Sequence, residues 1–226
     1  MNMKGLIILF YPFEMERYLE TLLGERDSLL REMEEIALQE TIPVVTPAVG
    51  NFLNLMVTIN RSQSILEIGT AIGYSTVWLA RGAKKCGGHV TTIDMNRDRL
   101  SRAEGYFERA GLLQSITPLK GDARKILPSL TPGYDFVFVD AAKGEYLDYL
   151  NLIDPLIAPG GILVVDNVLF RGWVVPESNF APKYERMVGG LRRFLQELSQ
   201  NPEYVTTVLP FGDGISVSRK VEAAPA

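Results

Sequence analysis

The chain has 226 residues, of which 46% are hydrophobic and 22% charged, so it has enough apolar side chains for one core, and we expect a single main domain. A formal net charge of −4 excludes nucleic-acid binding through overall positive charge, although a local basic patch stays open. The single cysteine, Cys86, excludes an internal disulfide and predicts a reducing, cytoplasmic location. No apolar run reaches the roughly 18 residues of a membrane span.

The first 60 residues predict helices behind a short apolar start. Residues 5–13 are apolar but too short to span a bilayer, and we expect residues 1–14 to be an extension that need not be native, with Met15 as a possible true start. Residues 15–60 carry apolar side chains at helical spacing, interrupted at Gly24 and at 42–47. This pattern predicts a helical cap before the main fold.

From residue 64, short apolar runs alternate with helical patterns. The runs predict strands at 64–68, 89–94, 116–119, 134–139, 162–165, 204–209 and 215–218, and the helices between them include 98–110, 123–130, 145–157 and 181–199. This alternation predicts an α/β fold with a doubly wound, seven-stranded, mostly parallel sheet that ends in an antiparallel hairpin. The core would span 64–220 of a domain covering 15–220, and the tail 221–226 is expected to be disordered.

A small-residue loop follows the first predicted strand. Gly69, Ala71 and Gly73 separate a buried run ending at Glu67 from an apolar helix opening. Strand, glycine loop and helix form the arrangement in which an α/β sheet binds a nucleotide-like ligand, because small residues admit the ligand and the helix N-terminus offers free N–H groups. A tight turn without a ligand is the alternative.

The next strand sharpens this interpretation. It ends at Asp94, 25 residues after Gly69, near the spacing at which a carboxylate binds ribose hydroxyls. The small residues alternate, unlike the dinucleotide motif, which argues against a nicotinamide oxidoreductase, the rival enzyme class. Glu67 suits a ligand with its own ammonium group. The stretch 67–73 resembles the first motif of Rossmann-like S-adenosylmethionine (SAM) methyltransferases, with Ala71 replacing the usual middle glycine, and we expect a negative φ there.

Two later strands also end in polar side chains. Asp140 follows the fourth strand, and Asp166 and Asn167 follow the fifth. Neighbouring strands of a doubly wound sheet bring these side chains together, and oxygen ligands without His or Cys suit Mg²⁺, Mn²⁺ or Ca²⁺. Capping of the following helices is the structural alternative. Lys143 is either an exposed loop residue or, beside a cation, a neutral amine able to act as a base.

This set resembles the metal-dependent O-methyltransferases related to catechol and caffeoyl-CoA methyltransferases. Stretches 67–75, 140–144, 166–172 and 212–214 look most like the bacterial enzymes that methylate 5-hydroxyuridine at the tRNA wobble position. The resemblance implies that Lys143 is the general base and that Asp140, Asp166 and Asn167 hold the metal. Motif and resemblance together predict the SAM contacts Val45, Glu67, Gly69, Thr70, Ala71, Gly73, Ser75, Asp94, Asp122, Ala123 and Asp140. For Asp122, a helix N-cap is the alternative role.

We therefore expect a SAM-dependent O-methyltransferase that uses a divalent metal to lower the pKa of a substrate hydroxyl. The resemblance favours tRNA as acceptor, a small catechol-like or phenolic substrate is the alternative, and a non-catalytic RNA-binding module is a distant one. Lys183, Arg186, Arg192 and Arg193 form the basic run available to RNA. A homodimer without membrane association is expected. Trp173 would either stack on an aromatic substrate or anchor its own loop.

Overall fold

A computed structural model describes residues 18–24 and 26–222 of the chain. The predicted extension at 1–14, the start at Met15 and the end of the predicted tail lie outside these residues. Within them, no helix is long and apolar enough to cross a membrane. Residues 18–21 are helical, as the spacing before Gly24 predicts.

Seven strands and seven labelled helices follow. The helices are α1 (Ser28–Gln39), α2 (Pro47–Asn60), α3 (Tyr74–Lys84), α4 (Arg97–Arg109), α5 (Ala123–Ile126), α6 (Tyr146–Ile153) and α7 (Glu185–Gln200). The strands are β1 (Ser64–Ile68), β2 (His89–Asp94), β3 (Ile116–Lys120), β4 (Tyr134–Val139), β5 (Ile157–Val165), β6 (Tyr204–Leu209) and β7 (Ile215–Lys220). Side-chain caps begin several helices: Asp27 accepts from the Leu30 amide before α1, and Thr46 accepts from the Val49 amide before α2.

The strands form one sheet in the order β3-β2-β1-β4-β5-β7-β6. β1 to β5 are parallel, whereas β7 runs antiparallel between β5 and β6. This confirms the predicted doubly wound sheet with a C-terminal hairpin. The strand order reverses next to β1, so the carboxyl ends of β1, β2 and β4 flank the crevice in which such sheets bind ligands.

Helices cover both faces of the sheet. Along β4, Phe136 and Phe138 pack with α1 to α4 on one face, while Val137 and Val139 pack with α6 and α7 on the other. Both faces of β4 are buried, which is why its sequence is a continuous apolar run rather than an alternating one. The predicted N-terminal cap, represented by α1 and α2, belongs to the first of these layers.

Several helix and strand boundaries in the structure differ from the predicted ones, at positions near proline and glycine. β5 begins at Ile157, so Pro159, Gly160 and Gly161 lie inside the strand at a register irregularity and not in the predicted turn before it. The helix predicted at 123–130 ends at Ile126, and a 3-10 turn containing Pro128 follows. The helix predicted at 145–157 likewise ends at Ile153, before a 3-10 turn containing Pro155.

Candidate active site

Glu67, near the end of β1, is fully buried and surrounded by hydroxyl groups. Ser75 donates to one carboxylate oxygen at 2.5 Å, and Thr92 and Thr76 donate to the other, Thr92 at 2.6 Å. Burial raises the pKa of Glu67 to about 7, against these hydrogen bonds, which lower it. The sequence analysis did not predict Thr76 or Thr92 as partners of Glu67. In the parallel pairing of β1 with β2, Thr92 is the register partner of Glu67, and a predicted register would have pointed to it.

The loop after β1 is pinned to both neighbouring strands. Gly69 has φ +104°, and a Cβ there would lie 2.1 Å from the Asp140 carbonyl oxygen, so no other residue fits without a shift. The Ala71 amide donates to Asp94 Oδ2 at 2.7 Å. Ala71 has φ +47°, so the expectation of a negative φ is wrong: the alanine adopts the left-handed conformation, held there by the bond to Asp94.

This loop borders a cavity of about 430 Å³. Among the predicted SAM contacts, its walls include Val45, Gly69, Thr70, Ala71, Ser75, Asp94, Ala123 and Asp140, and Lys143 also lines it. Glu67 and Gly73 lie behind the wall, and Ser75 both lines the cavity and donates to Glu67. The cavity therefore lies beside the carboxyl ends of β1, β2 and β4, and its Ser75 connects it to the buried carboxylate of Glu67.

Asp122 is the N-cap of the short helix α5. Its carboxylate caps α5 by accepting from the Arg124 amide at 3.0 Å and forms an ion pair with the Arg124 guanidinium at 2.9 Å. It does not line the cavity, whereas Arg124 does. Arg124 also pairs with Glu145 at 3.0 Å, and Tyr149 donates to Glu145 at 2.7 Å. These three wall residues were missed from sequence, because only the fold brings α5 and α6 together.

Asp140 and Asp166 follow adjacent parallel strands. Val139 and Val165 are register partners, and the Asp166 amide donates to the Val139 carbonyl at 3.0 Å, so the two carboxylates sit at neighbouring strand ends. Burial raises the pKa of both, and the Asp140 charge helps raise that of Asp166 to about 7. Burial and mutual repulsion therefore disfavour the charged forms of these two carboxylates, which a nearby positive charge would favour.

Lys143 and Asn167 complete the predicted set. Lys143 opens a 3-10 turn after β4, and its charge is near enough to lower the pKa of both Asp140 and Asp166. Asn167 is half-buried with φ +57°, and its amide donates to Asp166 Oδ1 at 2.6 Å. Across residues 18–24 and 26–222, no three His, Cys, Asp or Glu side chains meet as a metal-binding group. A cation here would therefore depend on two carboxylates and one carboxamide.

The segment after Asn167 packs as a small aromatic cluster. Trp173 stacks on Phe180 with ring centres 5.8 Å apart and contacts Tyr184 and Phe170 at 5.0 and 5.2 Å. Arg192 of α7 donates to the backbone carbonyl of Trp173 and to those of the next two residues. Of the two predicted roles for Trp173, this packing supports the loop anchor.

The chain is similar to known proteins along most of its length. Residues 21–221 match the model of the O-methyltransferase family. The chain is 34% identical over 202 residues to a catechol O-methyltransferase of Niastella koreensis, covering 86% of the chain and 89% of that protein. It is 32% identical over 206 residues to caffeoyl-CoA O-methyltransferase 2 of Eucalyptus globulus, covering 85% and 81%.

Solved structures show the same relationship. An O-methyltransferase from Bacillus cereus in complex with SAH superposes with a TM-score of 0.82 at 31% identity, covering 92% of this chain and 97% of that one. The O-methyltransferase TomG from Streptomyces achromogenes, in complex with SAM, gives 0.82 at 30% identity, covering 92% and 96%. The chain therefore belongs to the O-methyltransferase family and is a SAM-dependent enzyme of the catechol and caffeoyl-CoA methyltransferase type.

Proposed function

We propose that this enzyme methylates a hydroxyl group on an aromatic ring that carries a neighbouring oxygen, with a divalent cation held by Asp140, Asp166 and Asn167. The observation that carries the proposal is the pair of carboxylates at the ends of β4 and β5, beside Lys143 and next to the donor cavity. Catechols have this pair of vicinal oxygens, and the names of two relatives described above refer to a catechol and to a caffeoyl thioester.

The residues present fit a hard cation. Their donor atoms are all oxygens, and burial together with mutual repulsion raises the pKa values of Asp140 and Asp166, which a bound cation would reverse. When bound, Mg²⁺ or Mn²⁺ would supply chelation of the vicinal oxygens and a lower pKa for the reacting hydroxyl. The carboxamide of Asn167 would contribute the third protein oxygen.

The chain's own residues perform the remaining tasks. Lys143 receives the proton of the acceptor hydroxyl, and the resulting oxygen anion bonds to the donor's methyl carbon as that carbon's bond to sulfur breaks. Glu67 binds the donor's ammonium group, directly or through Ser75, and Asp94 binds the ribose. Catalysis rests on positioning and charge, and no covalent bond to the enzyme forms.

An apolar cavity supports a planar acceptor. It measures about 290 Å³, and its walls are mostly apolar apart from Glu20 and Thr46, which is next to donor-cavity residue Val45. The other wall residues include Leu19 and, at the end of β6 and the tip of the β6–β7 hairpin, Leu209, Pro210, Phe211 and Gly212. A small aromatic ring suits such walls better than a phosphate chain does.

The second candidate acceptor is 5-hydroxyuridine in tRNA, whose hydroxyl and 4-oxo groups also form a vicinal pair. Its support is Arg171, an exposed residue four positions after Asn167, whose guanidinium lies over Trp173 at 5.4 Å, with Lys183 over Tyr184 at 4.9 Å nearby in the same aromatic cluster. Exposed cations beside aromatic rings suit RNA. The homodimer and the cytoplasmic location remain predictions, the first testable by analytical ultracentrifugation.

One assay separates the candidates. Purified enzyme is incubated with labelled SAM and either catechol, caffeate or tRNA from cells lacking this modification, with Mg²⁺ or with EDTA. We expect transfer to catechol or caffeate that EDTA abolishes and Mg²⁺ restores. Transfer to tRNA alone would select the second candidate, and undiminished transfer in EDTA would reject the metal site.

A further inference from the structure

The loop that follows β5 has an unusual backbone. We define it as the post-β5 loop, residues 167–172. Asn167, Phe170 and Arg171 have φ values of +57°, +40° and +57°. Asparagine tolerates this left-handed region, but phenylalanine and arginine disfavour it, so Phe170 and Arg171 need contacts from outside the loop.

The tip of the β6–β7 hairpin provides those contacts. The Val168 amide donates to the Gly214 carbonyl at 2.9 Å, and the next two amides donate to the Asp213 carbonyl at 3.0 and 3.3 Å. The following amide, that of Arg171, donates to the Asp213 carboxylate. Four successive amides are thus bound by two residues, and the carboxylate of Asp213 is the one side chain among their acceptors.

The hairpin tip also packs tightly on the loop. Gly214 has φ +88°, and a Cβ there would lie 2.3 Å from Leu169 Cγ. The Leu169 side chain therefore packs directly on the Gly214 backbone and leaves no room for a side chain at position 214. The Asp213 carboxylate closes one end of this row of four bound amides, and the other end adjoins Asn167, whose backbone amide donates to Asp166 Oδ1 at 2.6 Å.

We propose that Asp213 is a positioning residue for the reaction: its carboxylate holds Arg171 in the left-handed conformation and, through the post-β5 loop, fixes the Asn167 carboxamide as a metal ligand. A carboxylate is a stronger acceptor for an amide than a neutral group is, which suits a strained backbone. The metal part of this inference rests on the proposed function.

The test compares three variants of the full-length enzyme. Asp213→Ala removes the acceptor, Asp213→Asn keeps a weaker, isosteric one, and Glu203→Ala removes an exposed carboxylate at the opposite end of the same hairpin as a matched control. The readouts are hydrogen exchange of amides 168–171 by mass spectrometry, Mn²⁺ binding by electron paramagnetic resonance, acceptor KM and the Kd of SAH.

For Asp213→Ala we expect faster exchange confined to the post-β5 loop, Mn²⁺ affinity lower by about 10- to 100-fold, as for lost outer-shell partners of a metal site, and a higher acceptor KM. The Kd of SAH is expected to stay within about twofold of the wild type, because the donor cavity does not include this loop. Asp213→Asn is expected to be intermediate and Glu203→Ala unchanged.

The outcomes distinguish the two proposals. If wild-type enzyme binds no Mn²⁺, the metal site fails, while exchange and acceptor KM still decide the role of Asp213. If Asp213→Ala matches Glu203→Ala in exchange and KM, or weakens SAH binding as much as it weakens the acceptor site, the positioning role is wrong. If Asp213→Ala does not fold, Asp213→Ser replaces it, since serine keeps the turn chemistry but its hydroxyl is too short to replace the carboxylate.

Discussion

Replacing Gly69 by alanine tests how the loop after β1 is joined to Asp140 at the end of β4. The new Cβ would lie 2.1 Å from the Asp140 carbonyl oxygen, well inside the 3.0 Å that real Cβ contacts respect. Neither side can yield freely, because the Gly69 amide is bound to the Ile93 carbonyl at 3.0 Å and the Asp140 amide to the Ile68 carbonyl at 2.9 Å. The substitution therefore adds overpacking to an unfavourable φ of +104°.

The two costs can be separated. Gly87 also has a positive φ, +72°, but nothing lies within 4 Å of a Cβ built there, so Gly87→Ala measures the backbone cost alone, about 1–2 kcal/mol. Overpacking adds about 1–3 kcal/mol, so Gly69→Ala is expected to lower the free energy of unfolding by roughly 2–5 kcal/mol. Urea denaturation measures both, and calorimetry is expected to show weaker SAH binding for Gly69→Ala only. Equal losses for the two variants would refute the clash.

Four further predictions concern the chemistry. Lys143→Ala is expected to lower kcat by about 10²–10⁴-fold in a steady-state transfer assay, as for a lost general base. Asp166→Ala is expected to abolish transfer and Mn²⁺ binding, measured by electron paramagnetic resonance, while SAH still binds, since Asp166 lies outside the donor cavity. Donor affinity by calorimetry is expected to fall as pH drops below about 7, approaching tenfold per pH unit, because a protonated Glu67 cannot bind an ammonium group. Arg171→Glu is expected to weaken methylation of tRNA steeply and to leave that of catechol nearly intact, measured with both acceptors in parallel, and binding of tRNA by the wild type is expected to fall as salt rises.

Each of these has its own control. Lys125→Ala removes an exposed lysine whose side chain forms no hydrogen bond or ion pair with the described part of the chain. If this control lowers kcat as much as Lys143→Ala does, Lys143 is not the general base. Glu67→Gln is expected to bind SAM weakly and without pH dependence; a wild-type affinity that stays flat below pH 7 contradicts the role of Glu67. Mn²⁺ binding by Asp166→Ala would place the metal elsewhere. Equal damage to both acceptors would make Arg171 structural.

The ends of the strands that border this site can be predicted from the sequence. β4 and β6 have the predicted bounds because continuous or β-branched apolar runs stop at a polar or proline residue. Once strands and helices alternate, the right-handed crossover rule leaves few strand orders, so Asp140 and Asp166 were expected on neighbouring strands before any geometry was known. Their adjacency follows from local patterns and topology alone.

Other features depend on contacts that no local pattern contains. Ala71 adopts a positive φ because Asp94, on another strand, binds its amide. Asp122 pairs with Arg124, two residues along the chain, and the same guanidinium also pairs with Glu145, which a different part of the chain supplies. These contacts form only when separate helices and strands pack together. The sequence therefore predicted many of the residues that line the site, but not which neighbours each of them contacts.

The position of β7 has a consequence for how the molecule is made. Although β7 comes last of the strands along the chain, it is the sixth of seven across the sheet, between β5 and β6. A nascent chain emerging from the ribosome therefore exposes β5 as an open edge and leaves β6 without a partner until residues 215–220 appear. Both halves of the β6–β7 hairpin must then dock at once, and with them the tip whose Asp213 and Gly214 bind the post-β5 loop. Biogenesis of this enzyme is thus expected to end with a late, nonlocal assembly step, a window in which a chaperone that shields strand edges would matter more than one that shields helices.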